Sequence, residues 1–316
     1  MPHALLIGGD EGSGKFTFAL SIAASLVCES RDKGTLPCGE CNACRKMLSR
    51  SHTDLTLLER DPKRATIGVA QIKDLRRGMY LSPNEAPCKV YIIDEADKMT
   101  PEAQNALLII LEEPPRDVYI ILLASSLDRI LTTIRSRAQY VPMQRFTKEE
   151  LGRYLPEISK EARLMRGASP DEYAEILTSA SGSIGRALSL LSPKGAALCR
   201  EEREGALSVI SALSSGGSFA DLYSALLSLS NERTELLLEI EMVINALRDM
   251  MAVRLTDSAE LIFFPSEKGA KEALDRVGHR RLGRLFDLFI DTHDKLSKNA
   301  AVGSIMTALA AKIKSI

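Results

Sequence analysis

The stretch HALLIGGDEGSGKFT, residues 3–17, decides how the rest of the chain is read. Ala4–Ile7 is a wholly apolar run that stops at Gly8-Gly9, the pattern of a parallel strand buried on both faces. From Lys15 to Cys28, KFTFALSIAASLVC is rich in alanine and leucine and free of breakers, so it predicts a helix whose N-terminus faces the turn. Between them, Gly9, Gly14 and Lys15 are in register with a G-x-x-x-x-G-K-[ST] phosphate loop, and Gly12 adds a further flexible point. In such a loop the backbone N–H groups wrap phosphates, the lysine neutralises their charge, and the following hydroxyl holds Mg²⁺. Here that last position is Phe16, which has no metal-ligating atom, and Thr17 points about 100° away around the helix.

Further along, residues Lys89–Ile93, KVYII, form a β-branched run that ends on Asp94-Glu95-Ala96-Asp97. Carboxylates at the C-terminal end of a buried parallel strand lie where such sheets bind ligands. In a nucleotide-hydrolysing protein Asp94 would organise Mg²⁺ and Glu95 would polarise the attacking water. Taken alone, the acids could merely cap a helix. Together with the glycine loop they point to nucleotide-binding ancestry.

Cysteines 28, 38, 41 and 44 are spaced C-x9-C-x2-C-x2-C, in a polar stretch containing Gly39 and Asn42. Overlapping C-x-x-C steps let thiolates converge on one tetrahedral ion, and Cys28 at the end of the first helix can supply the fourth ligand. We expect structural Zn²⁺ there, because four protein ligands leave no open position for substrate. Cys88 and Cys199 are isolated and read as buried fillers.

The remaining pattern alternates strands and helices up to about residue 145. His52–Glu59 and Val118–Ala124 read as strands, and Ile67–Tyr80 and Asp128–Arg135 as helices. Thr100 is placed to cap a helix that opens on Pro101 and stops before Pro114-Pro115. After Phe146 the strands cease. Three short helical patterns fill Thr147–Leu191, and longer ones fill Glu201–Ile316, with a loop expected at Ser214–Ser218. The reading is an α/β domain at 1–145 carrying a zinc module at 28–44, a helical domain at 146–195, and an all-α domain at 200–316.

With 316 residues and a net charge of −1, the chain has room for several cores but lacks the basic excess of a free-standing nucleic-acid binder. No signal peptide and no apolar run of about 20 residues is visible, which makes the cytoplasm the expected location and a membrane partner unexpected.

Several strings in order resemble one family: HALLIGGDEGSGK, the cysteine module, HTDLTLLE, VYIIDEADKMTPEAQNALL, LEEPP, LTTIRSRAQ and GSIGRALSLL, with DKLSKNAAVGSIMTALAAKI a weaker match near the end. The chain is identified as similar to the delta-prime subunits of the bacterial DNA polymerase III clamp loader, which are AAA+ proteins. The resemblance implies an AAA+ α/β domain with a three-helix lid and a C-terminal helical collar that joins a hetero-oligomer with gamma/tau motor subunits and delta. It implies a part in ATP-driven loading of the sliding clamp onto primed DNA, within a nucleotidyltransferase complex, by a subunit that does not itself polymerise.

Within that resemblance Arg137 of Ser136-Arg137-Ala138 occupies the arginine of an S-R-C motif and would act as a finger on a neighbouring subunit's ATP. Ala138 departs from the cysteine. Two further departures bear on the role. Motor subunits carry threonine where this chain has Phe16, and a phosphate-sensing arginine where it has Gly185, with Arg186 one residue out of phase. The resemblance therefore implies a stator with negligible hydrolysis, in which ATP or ADP binds weakly or not at all around Gly9, Gly12, Gly14, Lys15, Asp94 and Glu95. Two other readings compete: an ATP-hydrolysing motor subunit, against which Phe16, Gly185 and the absence of a long tail after the collar speak, and a zinc-dependent DNA-binding module, against which the charge speaks.

Overall fold

The structure is a computed structural model that describes residues 1–30, 35–61, 64–213, 218–256, 259, 261–264, 266–297 and 301–316. The loop expected at Ser214–Ser218 therefore lies, up to its last residue, outside the described residues. The chain divides into two compact units, one of residues 1–147 with Ser183–Gly185, the other of residues 148–182 and 186–316.

In the first unit the strands β1 (Ala4–Gly8), β2 (Leu55–Leu58), β3 (Lys89–Ile93), β4 (Val118–Ala124) and β5 (Gln139–Pro142) form one sheet in the order β2-β3-β4-β1-β5. Every pairing is parallel, with Ile7 beside Leu123 and Val141, and Ile93 beside Leu122. Alternation along the strands divides the core in two. Leu5, Ile7, Val90, Ile92, Ile121 and Leu123 pack on α1 (Lys15–Val27) and α2 (Asn42–Leu48). Leu6, Tyr91, Ile93, Ile120 and Leu122 pack instead on α3 (Val69–Met79), α4 (Pro101–Glu112) and α5 (Thr132–Arg135). Helices thus cover both faces, as a parallel sheet of continuous apolar strands requires. Because all five strands run the same way, the loops after β1, β3 and β4 share one edge.

Thr100 caps α4 as expected, its Oγ1 accepting the Ala103 N–H at 3.2 Å. Two expected elements are shorter. The strand expected at His52–Glu59 keeps only Leu55–Leu58, since His52 Nδ1 accepts the Asp54 N–H at 3.1 Å and the Asp54 carboxylate accepts the N–H groups of Asn84, Glu85 and Ala86. The helix expected at Asp128–Arg135 is a tight turn at Leu127–Arg129 followed by the single turn of α5. Between them Gln104 of α4 breaks the ladder by accepting the Leu131 N–H at 2.8 Å and donating to the Arg129 carbonyl at 2.9 Å.

The second unit is all helical: α6 (Lys148–Ile158), α7 (Lys160–Ala168), α8 (Pro170–Ser179), the greater part of α9 (Ile184–Leu190), α10 (Pro193–Ala212), α11 (Phe219–Leu227), α12 (Arg233–Leu255), α13 (Glu267–Val277), α14 (Leu282–Ser297) and α15 (Val302–Lys314). Four helices occupy 148–190, where the pattern reads as three; Ser159, whose Oγ accepts the Ala162 N–H at 3.2 Å, caps α7 apart from α6. Leucine, alanine and methionine side chains of α10 to α15 share one core. Inside it the fully buried Asp249 accepts N–H bonds from Ile262, Phe263 and Phe264, tying the segment before α13 to α12.

Candidate functional site

The turn after β1 has the backbone of a phosphate loop. Gly12 and Gly14 adopt positive φ of 74° and 89°, which glycine reaches at no steric cost, and α1 starts at Lys15. The Lys15 ammonium is turned onto its own loop: it donates to the Gly9 carbonyl, to the Asp10 carbonyl at 2.8 Å and to Ser125 Oγ at 3.2 Å. Burial holds its pKa below the usual lysine value, and the carboxylates of Asp94, Asp97, Asp10 and Glu11 oppose that shift. Ser13 Oγ is buried in the turn and has no hydrogen-bond partner.

Phe16 has found structural partners. Its half-buried ring packs against the core on the α1 face, and the Arg50 guanidinium lies 4.2 Å from the ring centroid. Arg50 follows α2 with φ 59° and also faces Glu59 at 3.7 Å. The position that would need a hydroxyl for Mg²⁺ instead fastens α1 to the end of α2.

At the end of β3, Asp94 Oδ1 accepts the Glu95 N–H at 2.8 Å, and burial raises the Asp94 pKa. Glu95 sits in the left-handed region at φ 48°, and its carboxylate accepts from Arg60 Nε at 2.8 Å. Asp97, 7% exposed, accepts the Ser125 N–H at 3.0 Å, so the ends of β3 and β4 are joined next to Lys15. Gly9, Gly12, Gly14, Asp94 and Glu95 thus lie in loops on the C-terminal edge of the sheet, and Lys15 opens α1 beside them. The sequence reading quotes Asp97 without giving it a role and misses Arg60 and Ser125.

Residues Ser183–Gly185 group with this unit. Ser183 Oγ donates to the Glu11 carbonyl at 3.5 Å and the Gly185 N–H to the Gly12 carbonyl at 2.9 Å. A Cβ on Gly185 would stand 2.8 Å from Gly12 Cα, closer than real side chains come. Glycine here does more than omit an arginine, since it permits the close approach. Arg186, in the second unit, donates to the buried Glu202 carboxylate at 3.1 Å.

The four cysteines converge. Their Sγ atoms lie within 4.8 Å of one another, with Cys28 and Cys44 buried. Cys28 follows α1 directly, and Cys41 caps α2, its sulfur accepting the Cys44 N–H at 3.3 Å. The Cys41 and Glu40 backbone N–H groups pull the Cys38 thiol down to about 6, whereas burial, followed by its hydrogen bond to Cys41, pushes Cys44 up to about 12. One sulfur is prepared as a thiolate and another cannot ionise without a compensating cation. That is the donor chemistry of a metal centre, so these four cysteines could bind a metal ion.

Arg137 lies on another edge of the unit, after α5. Its Nη1 donates to the Thr133 carbonyl at 3.0 Å and to Ser136 Oγ at 3.3 Å, and its Nη2 pairs with Glu112 Oε1 at 2.8 Å. Ala138, next to it, is buried in the core shared with α4, which accounts for a small apolar residue in place of cysteine.

The first unit therefore combines the backbone of a phosphate loop, carboxylates at the end of β3 and a cysteine cluster after the first helix, with Phe16 where such loops carry a hydroxyl. Residues 1–147 match the family model described as DNA polymerase III, delta subunit. The chain is 26% identical over 311 residues to the DNA polymerase III subunit delta' of Bacillus subtilis (strain 168), covering 98% of this chain and 90% of that protein. It is 35% identical over 176 residues to the delta' subunit of Pseudomonas aeruginosa, about half of each chain at 53%. It is also 35% identical over 191 residues to the DNA polymerase III subunit gamma of Buchnera aphidicola subsp. Schizaphis graminum, covering 60% of this chain and 50% of that one. The chain thus resembles DNA polymerase III delta' subunits along nearly its whole length.

Proposed function

We propose that this chain is the non-hydrolysing member of its clamp loader, assembling with gamma/tau and delta subunits and presenting Arg137 to ATP bound by a neighbouring motor subunit. It takes part through that assembly in loading a sliding clamp onto primed DNA. The observation that carries the reading is the commitment of Phe16: its ring lies under Arg50, so the loop offers no hydroxyl for Mg²⁺. Lys15 satisfied by its own loop, and Gly185 seated on Gly12, support it further. With the three Lys15 donors taken by its own surroundings, ATP or ADP binds here weakly or not at all, and without turnover. Where the metal ligand is missing, hydrolysis lacks the charge stabilisation on which phosphoryl transfer depends.

Arg137 suits the finger role because a guanidinium is always charged and its planar fork matches phosphate oxygens. Cys28, Cys38, Cys41 and Cys44 hold one structural Zn²⁺ on this reading, which fastens the module to the end of α1. Among the described residues no helix is long and apolar enough to cross a membrane, in keeping with a cytoplasmic replication protein. The three regions proposed are an AAA+ α/β domain, a lid and a collar.

The test is steady-state ATP hydrolysis by the purified chain alone and by the loader assembled with its motor subunits. We expect no turnover alone, and a fall on the order of 10³-fold in the assembled loader with Arg137→Ala. Robust turnover by the isolated chain would establish the motor reading instead.

A further inference from the structure

From the contacts around Arg137 we infer that Glu112 is its positioning residue, fixing the direction in which the guanidinium is offered. The inference rests on the finger reading above.

Arg137 follows a helix of a single turn, α5, which has little rigidity of its own. Two elements compensate. On one side the Thr133 carbonyl and Ser136 Oγ, both local, accept from Nη1 at 3.0 and 3.3 Å. On the other, Glu112 Oε1 at the last residue of α4 forms an ion pair with Nη2 at 2.8 Å. The guanidinium has five N–H donors in a rigid plane; Nη1 donates to the two local acceptors, and Nη2 is held by the Glu112 charge. Among the described residues no acceptor takes the Nε–H. With the two terminal nitrogens held from different elements, the plane of the fork is set and the Nε–H has a fixed direction.

Glu112 is well placed for this because α4 is itself anchored. Thr100 caps its start, and Gln104 ties it to both sides of Ile130 through the Arg129 carbonyl and the Leu131 N–H. Leu107, Ile110 and Leu111 bury its inner face. The carboxylate therefore projects from a rigid helix, whereas the arginine projects from a short turn. A plain surface ion pair would contribute a few tenths of a kcal/mol to stability and nothing to function. A pair that orients a catalytic group has a different signature: it changes turnover and leaves ATP affinity alone.

The experiment compares Glu112→Ala, Glu112→Gln and Arg137→Ala in the assembled loader, measuring kcat and KM for ATP together with the melting temperature of the isolated chain. Glu112→Ala should lower kcat about fivefold with KM unchanged. Glu112→Gln, which keeps the side chain's shape but lacks the charge that holds Nη2, should lose about as much, and both should melt within about 2 °C of the parent. If Arg137→Ala lowers kcat while Glu112→Ala leaves it within twofold, the finger stands and the positioning role is overturned. If Glu112→Ala raises kcat, the carboxylate restrains the finger and the inference is likewise wrong. If Arg137→Ala has no effect, the finger reading fails and takes this inference with it.

Discussion

Lys15 and Arg137 are both cations of the α/β unit, one opening a helix on one face of the sheet and the other following a helix on the opposite face. On the proposed function each is the cation a nucleotide phosphate would meet. Lys15 is spent on its surroundings: two carbonyls of its own loop and Ser125 take its donors, and burial lowers its pKa. Arg137 donates from Nη1 to local acceptors and pairs Nη2 with Glu112, and among the described residues no acceptor takes its Nε–H. Sequence motifs alone would rank the lysine first. On the proposed finger role the open donor is the arginine's, and the fate of a cation's donors separates the two better than the motif around it.

The comparison is broken or upheld most strongly by exchanging which cation is removed. In the assembled loader Arg137→Ala should cost on the order of 10³-fold in ATP turnover, about 4 kcal/mol of barrier. Lys15→Ala should change turnover by less than about twofold, since its role is internal to this chain. A larger loss from Lys15→Ala than from Arg137→Ala, in parallel ATPase assays, would invert the assignment.

Metal removal should come next in size and should act on the lysine side alone. Cys28 closes α1 at the end opposite Lys15, and Phe16 with Arg50 fastens the same helix to α2 near its start. Chelation should therefore destabilise the unit by on the order of 3 kcal/mol or more, seen as a fall in melting temperature together with release of one zinc per chain. Since the metal needs thiolates, acid competes for it. Zinc should stay bound at neutral pH and be released on acidification, as a chromophoric chelator would report. A fully folded chain that carries no zinc and loses no stability on chelation would remove the metal from the account.

How much of this was legible beforehand follows from the range over which each signal acts. The apolar strands, the Thr100 cap and the cysteine spacing are local patterns, and the structure keeps them. The pairings Arg60–Glu95 and Arg137–Glu112 join residues far apart in sequence, and no local pattern marks either. His52–Asp54 reads as strand because the alternation continues through it, but the Asp54 carboxylate bonds backbone N–H groups some thirty residues away. β5 escapes for the opposite reason. Its four residues, Gln139–Pro142, are too short and polar to stand out, and it is recruited as a strand only by the exposed edge of β1.

Phe16→Thr sharpens the comparison at smaller scale. Threonine restores the hydroxyl of a working loop but removes the ring under Arg50. The unit should lose about 1–2 kcal/mol, measured by urea denaturation, and gain no ATP turnover, because Gly185 still sits on the loop in place of a sensing arginine. Turnover restored by this one change would mean that the loop had lost only its metal ligand, and that Lys15 is more available than its contacts indicate.

The smallest effect separates the two roles most cleanly, because it has opposite signs in them. In a working motor, replacing the first carboxylate after β3 removes a metal organiser and abolishes activity. Here Asp94 has a pKa raised by burial, so the folded chain takes up a proton at this carboxylate more readily than the unfolded chain does. Its contribution to stability is therefore fully present below the ordinary aspartate value of 3.8 and is lost as pH rises through the folded value. Above that folded value it is a buried charge, offset in part by Lys15. Asp94→Asn keeps an oxygen to accept the Glu95 N–H and removes the charge. The variant should be more stable than the parent at pH 7 by less than about 1 kcal/mol, with the advantage vanishing as pH approaches 3.8 and no change in loader turnover. Stability that falls at pH 7, or a loader that stops hydrolysing ATP, would show that Asp94 holds a working cation and that the loop still belongs to an engine.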